Sequence, residues 1–220
     1  MFSYLHLAGN ESQALALAET GVTAIAYETV TSDNEPLPLL SPMSEIAGQL
    51  AFVVGSYYLL KHNMGVGKLL GYSNDLDPTI VTIVGAGAAG KQAILKAVAN
   101  GAHVKIIDLS AQKLTELESE FGSSNIEYIK SSPAAILEAV KQTDLLIGAV
   151  YVVGKTAPKI FTVDMIKAMK SGSVFVDISI DQGGCSETSK PTTHDKPIYL
   201  FEDVVHYCVT NMPGSVPVTS

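Results

Sequence analysis

The chain contains no arginine and no tryptophan. All 14 of its basic residues are lysine, set against 22 acidic residues, for a formal net charge of −8. No basic run occurs, which argues against nucleic acid as a partner, because neutralising phosphates needs clustered cations. The missing arginine also removes the side chain best shaped for a bidentate grip on a carboxylate. Long apolar runs are missing too. The longest uncharged one, Ile46–Leu60, contains Gln49, Gly55 and Ser56 and falls below the ~20 residues that span a bilayer, so a buried helix is expected and no membrane. No basic, apolar and small-residue series of a secretory signal opens the chain. Cysteine is scarce: Cys185 and Cys208 form no CxxC pair, which points to reduced thiols in a cytoplasmic protein and to no metal site.

What is present is a chain of 220 residues, 47% hydrophobic, enough for one or two domains with a sizeable core. Its beginning reads strand, helix, strand: Phe2–Leu7, a helix capped by Asn10 and ended by Gly21, then Val22–Tyr27. A Pro-containing loop over Thr31–Ser41 leads into a long helix, Pro42–Leu60, with Pro42 in its first turn. Lys61–Pro78 reads as a linker. Regular alternation follows: strands at Thr79–Val84, Val104–Ile107, Ile126–Ile129, Leu145–Val150 and Val174–Ile178. The helices between them run over Ala88–Ala99, from Ser110 through Leu114, Leu117 and Phe121, over Pro133–Lys141, and from Thr162 to Met169. Strands alternating with helices of this length define an α/β fold with a doubly wound parallel sheet, covered on both faces.

The first of these strands runs into Gly85-Ala86-Gly87-Ala88-Ala89-Gly90, and a helix follows. Alone, GxGxxG is a weak signal, but strand–loop–helix is the context it requires. Gly85 permits the tight turn, Gly87 lets the backbone approach a pyrophosphate, and Gly90 lets the helix pack on the strand. The N-terminal N–H groups and dipole of that helix suit phosphate. Asp108 ends the next strand about 20 residues downstream, where a carboxylate accepts from ribose hydroxyls and repels a 2′-phosphate, favouring NAD over NADP. Its plain alternative is helix capping, for which Ser110 is better placed. Ser131 and Ser132, Val150 and Tyr151, and Ile178–Asp181, at the ends of later strands, are expected to complete the cleft.

Five phrases carry a closer resemblance: SYLHLAG (Ser3–Gly9), GVTAIAYETV (Gly21–Val30), PLLSPMSEIAG (Pro38–Gly48), VDISIDQGGCSET (Val176–Thr188) and HYCVTNMPGSVP (His206–Pro217). In order and spacing they resemble the alanine dehydrogenases, over nearly the whole chain. Transhydrogenase α subunits, which share the fold but differ at the NMPG segment, are the second resemblance. The first implies NAD as cofactor, L-alanine and pyruvate as substrates, and a homo-oligomer, hexameric in that family. It implies a partial substrate domain over 1–41, an interdomain helix over 42–60, the NAD-binding Rossmann domain over 61–205, and a segment over 206–220 returning towards remnants of the substrate domain.

By the same resemblance His6 is the catalytic histidine and Asp181 the catalytic carboxylate. Ser44 is a pyrophosphate contact, Ala88 and Ala89 lie in the phosphate loop, Lys113 is near the adenosine ribose and Ser131 near the adenine. Val150, Ile178, Asn211 and Met212 frame the nicotinamide. Taken by itself, His6 reads as a satisfied histidine at a strand end, and Asp181 before Gly183-Gly184 as turn chemistry. His206 reads as structural. The family carries, before the YLHLA strand, a segment with an Arg and a Lys that grip the substrate, and continues beyond the last phrase. The expectation is therefore a chain truncated at both ends that binds NAD and turns over alanine poorly. A non-catalytic NAD-binding fragment and a transhydrogenase-like protein stand as alternatives.

Overall fold

A computed structural model describes residues 1–7, 10–33, 37–71 and 79–220. Parts of the expected Pro-containing loop (34–36) and linker (72–78), and residues 8–9, lie outside the described residues. Two short strands, β1 (Phe2–Ser3) and β2 (Ile25–Ala26), pair in parallel on either side of α1 (Glu11–Glu19). Asn10 caps α1 by accepting from the Gln13 N–H, and Gly21 after it takes φ 67°. Both strands are shorter than the sequence suggests. For β1 Glu28 explains why: its carboxylate takes the backbone N–H groups of Leu5 and His6, which therefore leave the ladder. The chain coils into a 3-10 turn, Tyr27–Thr29, directly after β2, bringing Glu28 there.

α2 (Ser41–Tyr58) starts with Pro42 in its first turn. It buries Ala47, Gly48, Ala51, Phe52 and Gly55, a small-residue face with one ring, and leaves Val53 and Tyr57 about half exposed. Below it the chain is tied to the sheet. The Val66 N–H donates to the Gly172 carbonyl at 2.8 Å, and Lys68 and Lys170 both pair with buried Asp144, at 3.3 and 3.0 Å.

The main sheet holds β3 (Ile80–Val84), β4 (His103–Asp108), β5 (Ile126–Lys130), β6 (Leu145–Gly148), β7 (Val174–Asp177), β8 (Ile198–Phe201) and β9 (Val204–Tyr207). The spatial order is β5-β4-β3-β6-β7-β9-β8, parallel except for β8. The connecting helices are α3 (Ala88–Ala99), α4 (Ala111–Phe121), α5 (Pro133–Val140) and α6 (Val163–Lys167). Ser110, Ser132 and Thr162 cap the last three, each accepting a backbone N–H three residues on. Alternate residues of each strand feed two cores. Val81, Ile83, Leu145, Ile147, Val174 and Val176 pack under α2 and α3, while Val84, Leu146 and Phe175 pack under α5 and α6. Both faces are thus covered, as a doubly wound sheet requires.

The β8–β9 hairpin is not expected from the sequence. Its turn residues, Glu202 and Asp203, both take positive φ, 47° and 61°, a turn that sequences usually mark with Asn or Gly. The functional consequence of the topology lies at its centre. Strand order reverses between β3 and β6, which are direct neighbours, and the carboxyl ends of such strands bound a ligand crevice.

Candidate active site

The loop after β3 is built by close approaches. Gly85 takes φ 96°, and a side chain there would meet the Ala149 carbonyl oxygen at 2.5 Å. Gly90 leaves no room between α3 and the Gly85 carbonyl. Gly87 differs. Its φ of −74° is ordinary and a Cβ on it would meet nothing within 4 Å. Neither backbone conformation nor packing within the protein demands glycine there, so open space stands before the first turn of α3. No side chain caps that helix, and its first N–H groups, on Ala88, Ala89 and Gly90, have no intrahelical partner.

Asp108, at the end of β4, closes this loop. Its Oδ2 accepts from the Ala86 N–H at 2.7 Å and its Oδ1 from the Ser110 N–H at 2.8 Å. Each oxygen keeps a further acceptor site. The Lys113 ammonium lies 3.9 Å away, and the Ser131 N–H donates to the Asp108 carbonyl at 2.9 Å. Asp108, Lys113 and Ser131 therefore gather at the ends of β4 and β5.

On the other side of the reversal point lies a cavity of about 480 Å³, between the N-terminal lobe and the sheet. Its wall includes His6, Ser44, Ala89, Val150, Tyr151, Ile178, Asp181, Asn211 and Met212, nine of the residues singled out from sequence. Gly85, Gly87, Ala88, Gly90, Asp108, Lys113 and Ser131 are not in its wall; Ala89 joins their loop to it. Among the described wall residues Glu28 and Asp181 are the acidic ones, and there is no lysine.

His6 is exposed to the cavity, takes φ 48°, and donates its backbone N–H to Glu28 Oε1 at 2.7 Å. Its ring is inclined by 27° to that of Tyr4, with centroids 6.1 Å apart. Asp181 sits in a 3-10 turn, Ile178–Gln182, and accepts the Asn211 N–H at 3.1 Å. Burial raises its pKa above the ordinary carboxylate value, while the Asn211 hydrogen bond and the His6 charge pull it down. The turn hangs from Asp177, a wholly buried carboxylate at the end of β7. Asp177 accepts from the backbone of Ser179 and Cys185 (3.0 and 2.9 Å), from the Cys185 thiol (3.2 Å) and from the Ser189 hydroxyl (2.5 Å). Burial raises its pKa, and these donors offset part of the rise.

Sequence reasoning missed Glu28 and Gln182, both in the cavity wall. A lone glutamate after a strand carries no signal of its own, although Glu28 stands inside the phrase GVTAIAYETV. Gln182 donates its amide N–H to the Val152 carbonyl at 3.2 Å, leaving a buried Oε1 with no partner among the described residues. His206 is structural, as expected: buried in β9, it lies 3.0 Å from the Val204 carbonyl and 2.9 Å from the Thr188 hydroxyl. Burial lowers its pKa to about 4.

A doubly wound parallel sheet, a glycine loop opening a helix and a carboxylate at the end of the second strand define a Rossmann-type dinucleotide-binding protein. The comparisons carry this further. The family model "Alanine dehydrogenase/PNT, C-terminal domain" matches residues 51–220 and its N-terminal counterpart matches residues 1–47. The chain belongs to the alanine dehydrogenase/PNT family. It is 49% identical over its whole length to alanine dehydrogenase of Mycolicibacterium smegmatis and 50% identical to that of Staphylococcus haemolyticus, in each case spanning 59% of the relative. A solved L-alanine dehydrogenase superposes with a TM-score of 0.89 at 47% identity, over 99% of this chain and 60% of the other. A transhydrogenase from Sinorhizobium meliloti, with a TM-score of 0.75 at 23% identity over 99% of this chain and 63% of the other, shares the fold. Family and topology together imply a nicotinamide cofactor. Among the described residues no helix is long and apolar enough to cross a membrane.

Proposed function

We propose that the chain binds NAD and carries the proton-transfer pair of an NAD-dependent L-alanine dehydrogenase, His6 and Asp181. The observation that supports this best is their presence in one cavity wall with Ala89 of the glycine loop. The residues fit the cofactor: the space before Gly87 and the uncapped start of α3 suit a pyrophosphate, and the unpartnered Gln182 Oε1 suits an N–H donor. The Ala88 and Ala89 N–H groups and Ser44 would hold the pyrophosphate. Asp108 and Lys113 would hold the adenosine ribose, with the Asp108 charge opposing a 2′-phosphate, and Ser131 would lie near the adenine. Val150, Tyr151, Ile178, Asn211 and Met212 would frame the nicotinamide, which supplies the hydride acceptor when bound.

Oxidation of L-alanine in its unprotonated-amine form removes a hydride from Cα and leaves an iminium. Water adds to its carbon, and ammonia departs to give pyruvate. His6 takes the proton from the attacking water, returns it to the leaving nitrogen, and takes up the hydroxyl proton as the carbonyl forms, a task suited to an imidazole. Asp181 opposes the positive charge of the iminium. In the same proposal the two free thiols, Cys185 and Cys208, sit in a reducing cytoplasm, and the subunit joins copies of itself.

Calorimetric titration with NADH, followed by assay of NADH oxidation with pyruvate and ammonia, tests this reading. Binding with slow, alanine-forming turnover is expected. Absence of NADH binding would overturn it. Binding with no turnover at any pyruvate concentration would leave a dinucleotide-binding module without catalysis.

A further inference from the structure

We infer that Glu28 is a positioning residue for His6, setting the backbone of the proton-transfer group and locking it to the nucleotide-binding sheet. This rests on the role proposed for His6. His6 has φ 48°, a left-handed conformation uncommon for a residue with a Cβ and sustained by its surroundings. The sustaining group is Glu28. The Glu28 carboxylate receives two successive backbone N–H groups, Leu5 at 3.1 Å and His6 at 2.7 Å, both on Oε1, with Leu5 also 3.2 Å from Oε2. Successive N–H groups converging on one anion form a nest, and bonds to a charged acceptor are roughly twice as strong as neutral ones. β1 ends at Ser3, so neither N–H has a ladder partner, and the carboxylate is what satisfies both.

The main chain of Glu28 makes the second connection. The Tyr151 hydroxyl, in the loop after β6, donates to the Glu28 carbonyl at 3.3 Å across the cavity. Tyr151 is linked in turn to the Asp181 turn, because the Ser179 hydroxyl donates to the neighbouring Val150 carbonyl at 2.7 Å. One residue thus fixes the His6 dihedral through its side chain and the spacing between the His6 and Asp181 walls through its backbone. Burial, with the Glu28 charge behind it, raises the pKa of both Tyr4 and Tyr151, so these hydroxyls stay protonated beside it.

The test uses 15N-labelled protein and the variants Glu28→Gln and Glu28→Ala. Gln keeps the volume and one acceptor, so it serves if the Ala form does not fold. In the wild type the His6 amide proton, donated to Glu28 at 2.7 Å, is expected to resonate downfield. It is expected to move upfield in both variants, with exchange in Glu28→Ala faster by about tenfold to a hundredfold, the loss of a charge-assisted hydrogen bond, while β3–β7 amides stay unchanged. Reductive amination is expected to lose kcat by about tenfold or more at unchanged KM for NADH. In a His6→Ala background the Glu28→Gln change should then have no further effect. An unmoved His6 amide in both variants, or an undiminished Glu28 effect in the His6→Ala background, overturns the inference. Failure of the wild type to bind NADH would instead overturn the nucleotide reading and leave the His6 amide signature in place.

Discussion

Gly48 on α2 faces the main chain of Ala89 so closely that no side chain fits between them: a methyl group at 48 would collide with the Ala89 carbonyl oxygen and lie 3.0 Å from its Cα. The helix that links the two lobes therefore touches the backbone of the glycine loop itself. Gly48→Ala must push α2 off α3, and overpacking of this kind costs about 1–3 kcal/mol. It should lower the melting temperature and weaken NADH binding together. Gly55→Ala is the control: the atoms nearest its methyl belong to the buried Leu145 side chain and not to the glycine loop, so stability falls while affinity holds. Thermal melts and NADH calorimetry on both variants decide this; a Gly48→Ala protein that binds NADH as tightly as the wild type would break the proposed coupling.

The Asp108 carboxylate does two jobs at once, holding the Ala86 N–H of the loop and offering its remaining acceptor sites outwards. NADH is expected to bind at least about tenfold more tightly than NADPH, an energy of about 1.4 kcal/mol. Asp108→Ser should narrow that ratio by removing the charge that opposes a 2′-phosphate. It should also weaken NADH, since the loop loses its anchor. Equal affinity of the wild type for both cofactors would refute the assignment.

The glycine loop and the sheet were legible because their signals are local. Uninterrupted apolar strands can only be buried on both faces, and Ser110, Ser132 and Thr162 announce their helices by capping them. Helix Ala88–Ala99 has the bounds its sequence suggests. What stayed hidden depends on contacts distant in sequence. Glu28 shortens β1 by capturing donors 22 and 23 positions away, which no periodicity reports. The β8–β9 hairpin turns at Glu202 and Asp203 without glycine or asparagine. The roles proposed for His6 and Asp181 rest on resemblance, since a histidine after a strand and an aspartate before two glycines each have ordinary structural explanations.

His206 makes stability depend on pH. Its pKa falls from an ordinary 6.5 to about 4 in the fold, chiefly through burial, with the Lys190 charge adding to the fall and the Val204 carbonyl opposing it. Above pH 6.5 the ring is neutral in both states and the full stability is present. As pH falls towards 4 the unfolded chain takes up a proton that the folded one refuses, and about 3 kcal/mol is lost. Asp177 and Asp181, raised by burial, act with the opposite sign because they protonate more readily when folded. The wild type must therefore be compared with His206→Asn, which keeps a donor for the Val204 carbonyl. Denaturant melts from pH 7 to pH 4 should show a shallower loss in the variant; parallel curves would exclude His206 as the source.

Under the proposed function, the cavity wall would offer the two ends of alanine different partners. Asp181 could face the amino group, but among the described wall residues there is no lysine for the carboxylate, and the chain has no arginine. Burying a carboxylate without a partner costs several kcal/mol, and breaking a buried pair about 3–5. The deficit is the same in the ground and transition states, so it falls on KM more than on kcat. A high KM for pyruvate is expected, with NADH affinity unaffected. Thr29, exposed on the same wall, offers a place for a cation. Thr29→Lys is expected to lower the KM for pyruvate by about tenfold, the worth of one partly solvated charge pair, without changing NADH binding. A wild-type KM already below about 1 mM, and unmoved by Thr29→Lys, would mean that another group holds the carboxylate.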